Sequence, residues 1–162
     1  MDYSNILLQI DGVKGSSTLA DYKDQIECYS WSFNVAQPTS GTKSGTERTA
    51  ANPMFSDITI SKETDISSTD LFRLCATAKE ISKVTLTILR KADEENKPLI
   101  KIEMEKVILS NYSVSGGSEP RPIETISLNF VKIKMEYHHQ NNEAKIAGKT
   151  DFGYDLAINK KA

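Results

Sequence analysis

The segment PLIKIEMEKVILSNYSV, residues 98–114, alternates apolar and polar side chains but changes phase halfway along. Its main apolar residues occupy even positions through Met104 and then the odd positions of Val107 and Leu109. Successive side chains of a strand point to opposite faces, so the change needs an extra residue, and we predict a β-bulge near Lys106. A bulge of this kind bends a strand strongly, as the closure of a sheet into a barrel requires.

The segment ETISLNFVKIKMEY, residues 124–137, repeats the same shift. Apolar residues occupy even positions through Phe130 and odd positions from Val131 to Tyr137. We predict one long strand that bends between Phe130 and Val131. Two strongly bent strands in a short chain indicate a small barrel or two closely packed sheets.

Shorter alternating segments supply the remaining strands. They are NILLQIDG (5–12), FSDITISKE (55–63), KVTLTILRK (83–91) and DFGYDLAIN (151–159). Another segment, SSTDLFRLCATAKE, has apolar residues at helical spacing and predicts a short helix at about 68–80. The predicted fold is therefore mainly β, with about seven or eight antiparallel strands in a small β-barrel of two packed sheets and one short flanking α-helix.

The composition is that of an ordinary soluble globular protein. The 162 residues fit a single domain spanning 1–162, with 38% hydrophobic and 26% charged residues. A net charge of −2 and a pI near 5.7 argue against nucleic acid binding. No apolar run approaches a membrane span, and the N-terminal MDYSNILLQIDG lacks the basic start of a signal peptide, so we expect folding in the cytoplasm.

Residues for catalysis or metal binding are scarce. His138 and His139 are adjacent, so on a strand they would point to opposite sides and could not readily share a metal ion. No nucleophile elbow, phosphate-binding loop or zinc-protease motif is present, and neither cysteine has zinc-site spacing. Lys132 and Lys134 share a mixed face with Glu136 that suits protein contact better than phosphate binding. We therefore expect no enzyme, no cofactor and no bound metal.

The segment IECYSWSFNVAQPTS, residues 26–40, alternates bulky and small side chains. The bulky set is Tyr29, Trp31, Phe33 and Val35, and the small set is Cys28, Ser30, Ser32 and Asn34. We predict that the bulky set packs into the core. The small set lacks the lysines and glutamates of an ordinary solvent face, which indicates a surface that stays smooth or is approached closely. A long polar loop without periodicity follows at about 38–55.

Four stretches of this chain, taken in their order and spacing, resemble one protein family. They are VKGSS (13–17), SWSF (30–33), DISSTDLFRLCATAK (65–79) and ISLNFVKIKMEY (126–137). None of them is specific alone, but together they form a strong signal. Over residues 5–158 the chain resembles the haemolysin-coregulated proteins, the tube subunits of bacterial type VI secretion systems.

The resemblance implies a tail-tube-like barrel that assembles into a hexameric ring, with rings that stack into a hollow tube. Such tubes form in the cytoplasm inside a contractile sheath, carry a spike protein at the tip and small effectors in the lumen, and are expelled from the cell. It implies homo-oligomers and secreted effector proteins as partners, roles in virulence and interbacterial competition, and neither nucleic acid binding nor membrane insertion. In this arrangement Cys28, Ser30, Ser32 and Asn34 face the lumen; otherwise they lie under the long loop or the helix.

The long loop departs from the family pattern. Many relatives have a glycine-rich loop here that reaches a neighbouring subunit or ring. The candidate inter-subunit residues of this chain are Gly41, Lys43, Gly45, Glu47 and Arg48. Their added charges put the affinity of ring stacking in question. The helix start carries Thr69 where relatives commonly have proline, a tolerable change because the first helical position has no obligatory residue.

Other protein classes fit parts of the sequence. A bacteriophage-type tail tube protein shares the fold and the ring, and neighbouring sheath genes without capsid genes would separate the two. A monomeric barrel with an apolar ligand needs an open interior, whereas the large side chains available are sufficient to fill an eight-stranded barrel. These side chains are Trp31, Phe33, Phe130 and Tyr154. An enzyme is the remaining alternative.

Overall fold

The computed structural model describes residues 5–40, 49–92, 94–140 and 146–162. Within these residues the chain forms one helix, α1 (Ser68–Thr77), and fourteen strands. The strands are β1 (Ile6–Ile10), β2 (Ile26–Cys28), β3 (Ser30–Ser32), β4 (Val35–Ala36), β5 (Thr39–Ser40), β6 (Thr49–Ala50), β7 (Met54–Phe55), β8 (Ile58–Glu63), β9 (Ile81–Ala92), β10 (Glu95–Ser115), β11 (Ile123–Asn129), β12 (Lys132–Gln140), β13 (Ile146–Asp155) and β14 (Lys160–Lys161).

The strands form two antiparallel sheets that share β10. Sheet A has the order β2, β1, β9, β10, β12, β13, β14 and uses the first half of β10. Sheet B has the order β3, β8, β11, β10 and uses the second half of β10. The sheets are joined at one corner by β10 and at the other by the direct passage from β2 to β3. The fold is therefore the predicted small antiparallel β-barrel of two packed sheets.

The passage of β10 between the sheets lies where the apolar phase changes. Lys106 has a φ of 53°, a left-handed value that is uncommon for a residue with a side chain. Residues through Glu105 pair with β12 and residues through Val107 pair with β9, whereas residues from Ile108 pair with β11. The phase change near Lys106 therefore marks the place where one strand passes from sheet A into sheet B. The register with β9 is unchanged across Lys106, however, and the shift typical of a β-bulge lies between Leu109 and Asn111.

The second phase change interrupts its strand, contrary to the prediction of one long bent strand. β11 ends at Asn129 in sheet B, and β12 begins at Lys132 in sheet A. Between them the Val131 amide donates to the carbonyl of Glu105 at 3.2 Å, and the Val131 carbonyl accepts from Leu156 at 2.8 Å. The chain changes sheets within two residues, so the turn is too sharp for continuous strand pairing.

The core lies between the two sheets and consists almost entirely of aliphatic side chains. Sheet A contributes Leu8, Ile10, Val84, Leu86, Ile102 and Met104, and sheet B contributes Ile58, Ile60, Leu109, Ile126 and Leu128. Each such side chain contributes about 1.5 to 3 kcal/mol when it leaves water. Because the burial depends on strand phase, these residues also fix which side chains point outward.

Helix α1 covers one end of the barrel. It spans Ser68–Thr77, so it ends three residues before the predicted limit at position 80. Ala78 stops the helix in a left-handed conformation, with φ of 50°. Leu71 and Leu74 face the core. In the described ranges no helix is long and apolar enough to cross a membrane.

The segment predicted as a long loop at about 38–55 contains short strand pairs. β4 pairs with β7, and β5 pairs with β6, which together outline an antiparallel ribbon. Strands of two residues are too short to show an alternating pattern of apolar and polar side chains, so the sequence predicts a polar loop here. The candidate residues Gly41, Lys43, Gly45, Glu47 and Arg48 lie outside the described residues, and their role stays a prediction.

Candidate functional site

The outer face of sheet B carries a grid of small, uncharged polar side chains. Its eight members, here called the polar wall, lie in two register rows that cross all four strands. One row is Ser32, Thr59, Ser127 and Asn111, and the next is Ser30, Ser61, Thr125 and Ser113. All are exposed or half-exposed. The wall presents hydroxyl and amide groups over a wide area without a formal charge.

The polar wall exists because every strand of sheet B alternates with core residues. Between the two rows lies an inward row made of Trp31, Ile60, Ile126 and Tyr112. The ring of Trp31 stacks on that of Phe33 at 6.4 Å, and both pack against the core. A slip of one residue would expose the inward row, so packing holds the wall in place.

Two of the wall residues were predicted from the sequence. Ser30 and Ser32 are exposed, as is Asn34 beyond the end of β3. Among the described residues, neither α1 nor the ribbon covers Ser30 or Ser32, and both side chains are exposed. Whether they face a lumen stays a prediction.

The prediction for Cys28 was wrong, and so was that for two of the bulky residues. Cys28 is only 2% exposed and belongs to the core, where burial raises the pKa of its thiol to about 12. Tyr29 and Val35 are instead largely exposed. The chain leaves sheet A at Cys28 and enters sheet B at Ser30, and Tyr29 is the extra residue that resets the alternation.

Six of the eight wall residues were missed by sequence reasoning. They are Thr59, Ser61, Asn111, Ser113, Thr125 and Ser127. Thr59 and Ser127 lie between buried apolar residues, and Ser61 and Thr125 each have one buried apolar and one buried charged neighbour, so a signal was present for these four. Asn111 and Ser113 flank only the half-buried Tyr112. What the sequence did not supply was the register that aligns four separate strands into one surface.

Charged groups border the polar wall at both ends, and they are paired. At one end both carboxylate oxygens of Asp57 accept hydrogen bonds, from Ser110 Oγ at 2.6 Å and from Asn129 Nδ2 at 2.8 Å. At the other end Glu63 accepts a hydrogen bond from the Tyr29 hydroxyl, which raises the pKa of Tyr29. Arg121 Nη1 lies 3.2 Å from Glu63 Oε2. The bordering charges are thus held at the edges of the wall.

A buried charge pair lies on the inward side of the same sheet, near α1. Lys62 Nζ is 2.6 Å from Glu124 Oε2, and both side chains are fully buried. Lys62 also donates to Asp65 Oδ1 at 3.1 Å. The Tyr112 hydroxyl donates to Glu124 at 2.7 Å, and burial together with this carboxylate raises the pKa of Tyr112 to about 12. Lys62 and Glu124 occupy inward positions of their strands, so the alternation could have revealed this pair.

The outer face of sheet A differs from the polar wall, because its charges are dense and interleaved. Lys83 and Lys101 lie 3.7 and 3.1 Å from Glu103, and Lys134 and Lys149 lie 3.3 and 3.8 Å from Glu136. Burial alone would raise the pKa of Glu136, but the hydrogen bond from Lys134 and the neighbouring ammonium charges lower it. The expected mixed face of lysines with Glu136 is therefore present as a salt-bridged surface.

The two histidines lie on the same sheet. His138 is half-buried, and its backbone carbonyl accepts from Arg90 Nη2 at 2.8 Å, whereas His139 is exposed. Among the described residues no group of three histidine, cysteine, aspartate or glutamate side chains is placed to hold a metal ion. The arrangement supplies surfaces for contact, and the polar wall is the one with the most distinctive chemistry.

Comparison with known proteins places the chain in one family. A family model described as "Type VI secretion system effector, Hcp" matches residues 7–137. The chain is 27% identical to Protein hcp1 of Pseudomonas aeruginosa over 160 residues, which cover 98% of both chains.

Solved structures agree with this match. A structure described as that of a type six secretion system protein superposes with a TM-score of 0.91 at 25% identity, covering 99% of this chain and 100% of that one. Hcp1 from Salmonella typhimurium superposes with a TM-score of 0.81 at 29% identity, with both chains fully covered. The chain therefore belongs to the Hcp family of type VI secretion proteins, which are structural, secreted components rather than enzymes.

Proposed function

We propose that the whole chain, residues 1–162, is one subunit of the inner tube of a type VI secretion system, with the polar wall lining the lumen. Hexameric rings of the subunit stack into a hollow tube inside the contractile sheath, with the spike protein at its tip. Contraction of the sheath expels the tube and the small effectors that it holds. The match to the Hcp family model favours this tube over the related bacteriophage tail tube.

The observation that carries the proposal is the contrast between the two outer faces. The polar wall has no charged side chain, whereas the outer face of sheet A is covered by paired lysines and carboxylates. In a ring, each residue that faces the bore repeats around it. A charged residue there would create a band of like charges in a narrow channel. These charges would repel one another and would bind oppositely charged cargo tightly. An uncharged wall avoids both effects.

Hydroxyl and amide groups suit a surface along which cargo must move. A single hydrogen bond between a protein and its cargo contributes only about 1 kcal/mol net, because each partner exchanges it for one with water. Many such bonds hold an effector in place, and each is replaced individually as the effector moves. The wall therefore combines retention with release.

Labelling at single cysteines tests which face lines the bore. In a Cys75→Ser background, Ser32→Cys places a thiol on the polar wall and Lys83→Cys places one on the outer face of sheet A. Cys28 is buried and stays unlabelled. After labelling with a maleimide gold cluster, negative-stain microscopy should show gold at the ring centre for Ser32→Cys and at the rim for Lys83→Cys. Gold at the rim for Ser32→Cys, or wild-type protein that forms no rings, would contradict the proposal.

A further inference from the structure

Sheet A extends past the region that sheet B covers, and it leaves an apolar surface exposed there. Met135 and Phe152 are direct register partners on β12 and β13, and Tyr137 follows Met135 on the same face. Met135 continues a register row of core residues through Ile102, but Met135 is 40% exposed whereas Ile102 is fully buried. These three side chains, here called the wing patch, are between 40% and 56% exposed.

A second apolar surface lies beside α1. Ile66, Phe72 and Val114, here called the shoulder patch, are between 51% and 62% exposed. The ring of Phe72 lies 5.8 Å from that of Tyr112, and Val114 is two residues beyond Tyr112 on β10. Val114 is also linked to Ile66 through the buried charge pair. Its register partner Glu124 binds Lys62, and Lys62 binds Asp65, which precedes Ile66 in the chain.

The two patches lie beside different halves of β10. The wing strand β12 pairs with Ile100–Glu105, in sheet A, whereas the shoulder patch is built on Tyr112 and Val114, in sheet B. One patch therefore cannot cover the other within a single chain. Each is available to a second molecule.

The exposed area of each patch is more than half of the apolar area that one side of a stable contact needs. A large apolar side chain carries roughly 150 to 250 Å² of surface, so each three-residue patch leaves roughly 300 Å² uncovered at these exposures. A standard interface buries about 800 Å² on each partner, of which a little over half is apolar. Each patch alone thus supplies well over half of the apolar area that one side of such an interface requires, and uncovered patches of this size commonly mark interaction sites.

We propose that the wing patch of one copy packs on the shoulder patch of the next copy. This inference rests on the proposed tube function and names the contact that closes its ring. Two different patches on one chain generate a head-to-tail contact, and such contacts form rings when the rotation closes. A contact of two like patches would instead give only dimers and leave the other patch exposed.

Two single substitutions and their mixture test the pairing. Phe152→Asp disrupts the wing patch and Phe72→Asp disrupts the shoulder patch, and both side chains are more than half exposed, so each variant should melt near the wild-type temperature. Alone, each variant should lose its rings and run as a monomer in light scattering. Mixed in equal amounts, they should form a one-to-one dimer, because the intact shoulder of the first meets the intact wing of the second and neither can extend further.

Ile158→Asp is the matched control, since Ile158 is equally exposed but lies outside both patches, and it should keep its rings. Any of three results would overturn the pairing: rings in either patch variant, monomers in the mixture, or loss of rings in the control. In each case the rings of the wild-type protein would leave the tube function intact. A wild-type protein that is monomeric at micromolar concentration would instead overturn the tube function, and the pairing with it.

Discussion

Glu124→Gln tests the buried charge pair on the inward side of sheet B. The substitution preserves the size of the side chain but removes the negative charge that lies 2.6 Å from Lys62 Nζ. Lys62 then keeps Asp65 Oδ1 at 3.1 Å and the backbone carbonyl of Glu63 at 2.8 Å as its partners. The Tyr112 hydroxyl, which donates to Glu124, is left with a neutral acceptor.

The expected loss follows from leaving an ammonium group partly unpaired without water. Removing one member of a buried ion pair lowers the free energy of unfolding by about 3 to 5 kcal/mol. Because Asp65 remains beside Lys62, we expect the lower end of that range, about 3 kcal/mol. In a domain of this size each kcal/mol shifts the Tm by about 2 to 4 °C, so the Tm should fall by about 6 to 12 °C.

The matched control removes both charges. Lys62→Met combined with Glu124→Leu should recover most of the loss, because apolar replacements of a buried pair are often neutral or stabilising. Urea denaturation followed by Trp31 fluorescence measures the free energy of unfolding, at one protein concentration because assembly raises apparent stability. A loss below about 1 kcal/mol for Glu124→Gln, no more than an ordinary hydrogen bond contributes, would refute the reasoning. So would a double variant no more stable than the single one.

Three further predictions concern surfaces and titrating groups. Ser32→Glu should change the free energy of unfolding by no more than about 0.5 kcal/mol, since the side chain is exposed. Rings should persist, but the variant should no longer pull down an effector encoded nearby, and an unchanged pull-down contradicts the lumen assignment. The lowered pKa of Glu136 stabilises the fold above its unfolded value, near 4.5, and this contribution is lost as the pH falls through the folded pKa. The difference in free energy of unfolding between wild type and Glu136→Gln should therefore shrink below that pH, and a difference independent of pH argues against it. Cys28, whose pKa burial raises to about 12, should react with a thiol reagent only after denaturation, whereas Cys75 reacts in the native protein; fast native labelling of Cys28 speaks against its burial.

Apolar periodicity was sufficient to predict the architecture but not every break in it. The phase change near Lys106 predicted a bulge, whereas the strand passes there from one sheet to the other and its register shift lies between Leu109 and Asn111. An equal signal at Phe130 and Val131 marked the end of one strand and the start of another. Periodicity reports only which side chains are inward, and both a bulge and a change of sheet alter it in the same way. Pairing partners decide between them, and these are contacts distant in sequence.

The candidate site shows the same limit at finer scale. Alternation through residues 28–35 looked continuous, so Cys28 was placed with Ser30, but Tyr29 takes part in a change of sheet that resets the phase. Asn111 and Thr125 could not be assigned to the polar wall without the register that aligns their strands. Lys62 is different, because a lysine at an inward position of an alternating strand is itself a sign of a buried partner.

The continuity of β10 has a mechanical consequence. This strand runs from Glu95 to Ser115 and takes part in both sheets, and in the proposed ring it pairs with the wing strand β12 and carries Val114 of the shoulder patch. A load applied at the wing patch thus passes from β12 through its row of hydrogen bonds to β10, and then along the backbone of β10 to the shoulder patch. The contacts between copies are non-covalent and are the weakest elements in series. A tube under tension or impact should therefore come apart into intact subunits before any subunit unravels.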